Sequence, residues 1–259
     1  VTDQTGRSDI VASVAARLSA LGELAEDRSA RAAREVAAKL RRLTELLATC
    51  ELPEPTLRHV EEAVAEALEA ASSCQPRSVA SDEAVFGRRR SFFEWSPLAG
   101  LASPIAPPLR LALEGGKVVA LANFSAGYEG PPGCVHGGFI AAAFDEVLGL
   151  AQSLSGQVGL TATLSVKYRR PTPLGRQVRF EGAIEQVDGR KVTAVGTLTY
   201  EGQLCAEAKG LFVTPLERLA SVVGGSGPQG EGAEGQSVLR GHRPTEEQLL
   251  EQVGDGQAG

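Results

Sequence analysis

Residues 138–154, GFIAAAFDEVLGLAQSL, are apolar on nearly every face of a helix. A helix that is hydrophobic all round has to be enclosed by protein, so the rest of the fold is organised around this segment. Two acids, Asp145 and Glu146, stand inside it. Burying a carboxylate costs several kcal/mol unless it is paired or hydrogen-bonded. An enclosed acid therefore either sits at an edge, satisfied by a backbone group, or is there for chemistry.

The residues ahead of the helix bear on that choice. Pro131-Pro132-Gly133 ends a loop, and His136-Gly137-Gly138 enters the helix through glycines that let its first N–H groups be approached closely. A helix amino terminus carries unpaired N–H groups and the positive end of the dipole. It is thus a prepared site for the negative charge that develops on a carbonyl oxygen during acyl transfer. A plain turn explains His-Gly-Gly equally well by itself; the enclosed acid downstream gives it weight. Gly137 and Asp145 are eight residues apart in the sequence, about 12 Å along one helix. They cannot grip the same carbonyl carbon. If both act on one substrate, a second copy of the helix must run antiparallel alongside, which an isologous dimer with two equivalent sites provides.

Around this segment the sequence predicts an α+β chain preceded by an all-α region. Three helices fit the amino-terminal part, with apolar stripes at Ile10, Val14, Leu18, Leu21, then Val36, Leu40, Leu43, Leu47, then Leu57, Val60, Val64, Leu68 and Ala71. Pro53 and Pro55 break the second from the third. One-sided stripes have to cover something or pair with each other. We read residues 1–75 as this helical region and residues 76–108 as a proline-rich linker docking through Phe92, Phe93 and Trp95. Residues 109–220 form the α+β domain that holds the enclosed helix, and residues 221–259 a glycine-rich tail predicted to be disordered. Strands are predicted at 109–113, 118–124, 161–170, 177–187, 191–200 and 203–213, with tight turns at Gly115-Gly116, Asp188-Gly189 and Glu201-Gly202. Two strands, one helix and four strands, joined mainly by hairpins, imply an antiparallel sheet with a single helix against it. In the strand from Thr161, polar residues alternate with apolar ones, which predicts that Thr161 shares a face with Lys167 and Arg169. A threonine hydroxyl could hold a carboxylate or a water, and the two cations could meet an anionic tail.

The net charge of −6 argues against nucleic acid as the main partner. Cys50, Cys74, Cys134 and Cys205 show no metal-ligand spacing, so free thiols and no metal are expected. Residues 1–17 contain no long apolar run; this predicts neither a signal peptide nor a membrane span, and a cytoplasmic location.

The stretch GYEGPPGCVHGGFIAAAFDEVLG followed by GLTATLSVKYRRPTPLG resembles the PaaI-type acyl-CoA thioesterases of the hotdog superfamily, over about residues 104–215. The resemblance implies a long helix wrapped by an antiparallel sheet, homodimers or tetramers built from them, and hydrolysis of acyl-coenzyme A without a cofactor, in fatty acid metabolism. By position, Asp145 matches the catalytic carboxylate, acting as general base or nucleophile. Gly137 matches the glycine whose N–H polarises the thioester carbonyl, with Gly138 beside it on the substrate. His136 matches the residue shaping that corner, and Thr161 the supporting hydroxyl. Lys167 and Arg169, with Arg190 and Lys191 at the hairpin turn, fall where relatives contact coenzyme A. The chain departs from some relatives in having Gly130-Pro131-Pro132 where they place an asparagine. The competing expectation is a hotdog protein that binds acyl-CoA without cleaving it and engages a partner through its helices. A hotdog dehydratase would need a histidine a few residues after Asp145, and none follows.

Overall fold

The computed structural model describes residues 28–74, 94–107, 109–157 and 159–215. The helix expected near Ile10 to Leu21, the anchors Phe92 and Phe93, and the glycine-rich tail lie outside the described residues. Two helices come first, α1 at Arg28–Thr49 and α2 at Glu54–Ser72. Pro53 caps α2 in an extended conformation, with φ −60° and ψ 148°, so the chain changes direction there because a proline cannot continue α1.

The rotation of α1 differs from the expectation. Its leucine stripe points outward, with Val36 56% and Leu47 48% exposed, while Ala30 and Ala37 are buried. The cause is electrostatic. Arg34 forks onto Glu94, with Nη2 donating to Oε2 at 2.7 Å, and Glu94 is only 2% exposed. A carboxylate so deeply buried needs a cation beside it. Two turns further on, Arg41 donates to the carbonyls of Ser103 and Leu101. These anchors fix the alanine and arginine face of α1 on residues 94–107, and the helix also touches the 3-10 turn Ala126–Tyr128.

Six strands follow: β1 Arg110–Glu114, β2 Lys117–Asn123, β3 Leu160–Tyr168, β4 Gln177–Asp188, β5 Lys191–Tyr200 and β6 Gln203–Val213. The helix α3, Gly137–Ser153, lies between β2 and β3 in the chain. All pairs are antiparallel, in the order β1-β2-β4-β5-β6-β3. After α3 the chain therefore crosses to the far edge before the last three strands fill the middle by hairpins. The result is the helix-in-sheet hotdog arrangement, α+β as expected. Phe144, Val147, Leu148 and Ala151 of α3 are fully buried against Phe180, Val192, Leu198 and Phe212. The sheet can wrap this closely because Gly182 and Gly196 face each other across β4 and β5. A Cβ at Gly182 would stand 2.9 Å from Val147, and one at Gly196 2.6 Å from the Glu181 carbonyl.

One register shift overturns a sequence expectation. Between Thr161 and Thr163 the β3–β6 ladder slips, so that Thr161 stands opposite Phe212 and Thr163 opposite Leu211. A bulge inverts the alternation beyond it. Thr161 consequently faces α3, whereas Thr163, Ser165 and Lys167 face the other side of the sheet, and Thr161 does not share a face with Lys167 and Arg169.

Candidate active site

The amino terminus of α3 is built from its own loop. His136 is the N-cap, at φ −62° and ψ 132°, and its Nδ1 accepts the Gly138 N–H at 3.0 Å, which leaves the imidazole proton on Nε2. The His136 carbonyl takes the Phe139 and Ile140 N–H groups. Among the described residues the Gly137 N–H is then the first-turn donor without an acceptor, half-buried at the positive end of the helix. The loop below is held without an asparagine. His136 N–H donates to the Tyr128 carbonyl at 2.9 Å, Val135 N–H to Thr172 at 2.9 Å, and Gly133 N–H to the Glu129 carboxylate at 2.7 Å. Tyr168 closes the corner from β3. Its hydroxyl donates to the Gly137 carbonyl at 2.7 Å, and its ring lies so near that a Cβ at Gly137 would be 3.2 Å away.

Two turns along α3, Asp145 is half-buried and accepts the Thr161 hydroxyl at 2.9 Å through Oδ1. Thr161 reaches it only because of the bulge. Along the same side of α3 run Gly138, Ala141, Ala142, Asp145 and Gly149, all partly or fully exposed. The enclosure inferred from the apolar run is therefore met by the sheet on one side, and a stripe of small residues with one acid in it stays open. Next to Asp145, Glu146 turns into the protein and accepts the Ser96 hydroxyl at 2.6 Å. Burial pushes its carboxyl above the usual glutamate range; the Ser96 hydrogen bond works against the rise, and the neighbouring Asp145 charge adds to it.

The other candidates are dispersed. Lys167 projects on the face of the sheet away from Asp145, into a concavity of about 800 Å³ shared with Lys117, Glu181, Glu207 and Lys209. Arg169 pairs with Glu207. Arg190 and Lys191 are exposed at the β4–β5 hairpin tip, which Gln157 ties to the carboxyl end of α3 through the Gly189 carbonyl at 2.8 Å. The concavity is thus separate from the acid. Gly137 and Asp145 of one chain stand about 12 Å apart on α3. Ser96 and Tyr168 were missed as site residues; Tyr168 lay within the strand that pointed to Thr161, but nothing in the sequence aims its hydroxyl at Gly137. All four cysteines are free, and no cluster of three His, Cys, Asp or Glu side chains that could hold a metal exists among the described residues. No helix among them is long and apolar enough to cross a membrane.

Residues 132–206 match the family model of the thioesterase superfamily, and this span holds all nine candidate residues from His136 to Lys191. A solved thioesterase superfamily protein is 32% identical with a TM-score of 0.62, over 70% of this chain and 94% of its own. The acyl-coenzyme A thioesterase THEM4 of Xenopus laevis is 42% identical over 88 residues, which is 33% of this chain and 39% of that protein. THEM4 of Mus musculus is 33% identical over 99 residues, 38% of this chain and 43% of its own. The chain thus spans about two-fifths of the length of the curated relatives it matches.

Proposed function

The chain belongs to the thioesterase superfamily, and from that premise we propose that it hydrolyses an acyl-coenzyme A thioester to a free acid and coenzyme A, at sites shared between two copies of α3. The observation that carries this reading is the open stripe of α3, where Asp145 is held by Thr161 and the Gly137 N–H is left as a donor. Ala141 lies midway between the two. A twofold axis passing there would bring Asp145 of each copy to Gly137 of the other, and the small residues alongside would let the helices approach.

In this arrangement the thioester oxygen accepts the Gly137 N–H of one subunit, where the α3 dipole stabilises the charge that forms on it. Asp145 of the other subunit, oriented by Thr161 through Oδ1, uses Oδ2 to take a proton from the attacking water or to attack the carbonyl itself. On the water route the carbon–sulfur bond then breaks, the acyl group leaves as the free acid, and the thiolate takes the proton that Asp145 accepted; on the nucleophile route the thiolate leaves with a proton from solvent, and water then cleaves the acyl–Asp145 anhydride to the free acid and restores the carboxylate. His136 fixes the corner through the Gly138 N–H, and Gly138 lines the acyl path. Arg190 and Lys191 meet the phosphates at the hairpin tip, and Lys167 and Arg169 meet them where the tail passes over the free edge of β3. No cofactor is assigned a role.

Asp145→Asn is nearly isosteric and keeps an acceptor for Thr161. It should lower kcat by about a thousandfold with circular dichroism and melting unchanged. Near-normal hydrolysis by this variant removes Asp145 from the mechanism. Acyl-CoA binding by the unmodified protein without any hydrolysis would favour the binding-protein reading instead.

A further inference from the structure

Among the described residues, two helical stripes are left without a partner. On α1, Val36, Leu40, Leu43 and Leu47 follow the four-three-four spacing of a coiled-coil seam, yet the helix is docked through its opposite, arginine-bearing face. On α2, Leu57, Val60, Val64 and Leu68 form a second stripe, and the helix buries none of its residues; Leu57 is 43% and Leu68 67% exposed. Most helical stability in a protein comes from packing an apolar face, and α2 buries none of its own. Within one chain α1 and α2 do not pack along each other. They diverge at the short hinge that ends with the extended Pro53.

The two stripes nonetheless fit one another. Laid antiparallel, they bring Leu47 to Leu57, Leu43 to Val60, Leu40 to Val64 and Val36 to Leu68, four rungs in continuous register. Their charges are complementary as well. Arg34 and Arg41 are taken up by Glu94 and by the carbonyls of Leu101 and Ser103; besides them α1 carries Arg28, Arg31, Lys39 and Arg42 against Glu35 and Glu45, and α2 carries Glu54, Glu61, Glu62, Glu66 and Glu69 against Arg58. We propose that α2 of one chain packs antiparallel along α1 of a second copy, and the reverse, so that two chains exchange helical arms. The exchange is isologous, so one contact generates both α1–α2 pairs and the assembly closes. It rests on these helices alone and is independent of the reading of Asp145.

The test is between-chain cross-linking in a background where the exposed Cys50 and Cys74 are replaced by Ser. Chains bearing Leu40→Cys are mixed with differently tagged chains bearing Val64→Cys and oxidised mildly, and the double variant Leu40→Cys with Val64→Cys is oxidised alone. Both sites are solvent-facing, so folding should survive, and melting curves check it. Arm exchange predicts a mixed-tag disulfide dimer in the first case, and a doubling of mass under non-reducing conditions in the second. An internal disulfide in a monomeric double variant overturns the proposal in favour of a hairpin within one chain. Absence of any cross-link overturns it too, since the stripes would then be covered by something else. Acyl-CoA hydrolysis by the same samples is read separately, so failure of the exchange and failure of the thioesterase reading give different results.

Discussion

At the scale of single residues, the proposed mechanism relies on a backbone donor that no ordinary side-chain substitution deletes. Gly137 is the first residue of α3, where proline is tolerated, and His136 before it already holds an extended conformation compatible with a following proline. Gly137→Pro should therefore remove that one N–H and keep the helix, with the partly exposed Tyr168 ring giving way. The expected loss in kcat is about a hundredfold or more, measured beside a far-ultraviolet spectrum like the parent's. Glu146 gives a second prediction, of opposite sign. Its carboxyl is raised by burial, so the folded state prefers it protonated. Its contribution to stability is present at low pH and lost as pH rises through the folded pKa. Glu146→Gln keeps an acceptor for Ser96 and removes the buried charge, so it should raise Tm by a few degrees at about pH 8, with little gain at about pH 4. A variant less stable at the higher pH contradicts this account. Both acids were legible in the sequence as anomalies in an apolar run. The partner of Glu146 was not, because Ser96 lies fifty residues upstream and no local pattern joins them.

At the scale of elements, the strands were readable because turns and alternation are local. The glycine turns and the runs from Gln177 to Val213 fall where the sequence predicts them. The β3 bulge was invisible. Inserting one residue leaves the polar and apolar alternation looking regular while moving Thr161 to the other face, which is what brings it to Asp145. The rotation of α1 was hidden for a related reason. Leucines mark a stripe, but the Glu94 that captures Arg34 is sixty residues away, and a carboxylate buried that deeply is costly to leave without its cation. The trough for α3 is an element-scale property with a direct test. Gly196→Ala would set a methyl 2.6 Å from the Glu181 carbonyl and 3.0 Å from Leu148. It should destabilise the domain by about 1–3 kcal/mol in denaturant unfolding, whereas an alanine at Gly116, where no atom lies within 4 Å, meets only the strain of its φ of +78°.

At the scale of the whole molecule, one chain holds both groups of the proposed reaction, Asp145 and the Gly137 N–H, but about 12 Å apart on α3, too far to act on one carbonyl. The apolar run with its acid and glycines makes this legible in the sequence, since helix rise alone separates Gly137 from Asp145 by about 12 Å. What the sequence withheld was the open side of α3, because a run that is apolar all round does not say which face the sheet leaves uncovered. The measurement that bears most directly on shared sites is complementation between two inactive chains. Asp145→Asn and Gly137→Pro chains are co-expressed with different tags, and the mixed dimer is isolated through both. In it one site combines both defects and the other is intact, so the account predicts about half the wild-type turnover per dimer, far above either parent. A mixed dimer no more active than its parents would mean that Asp145 and Gly137 act within one chain, contrary to the account.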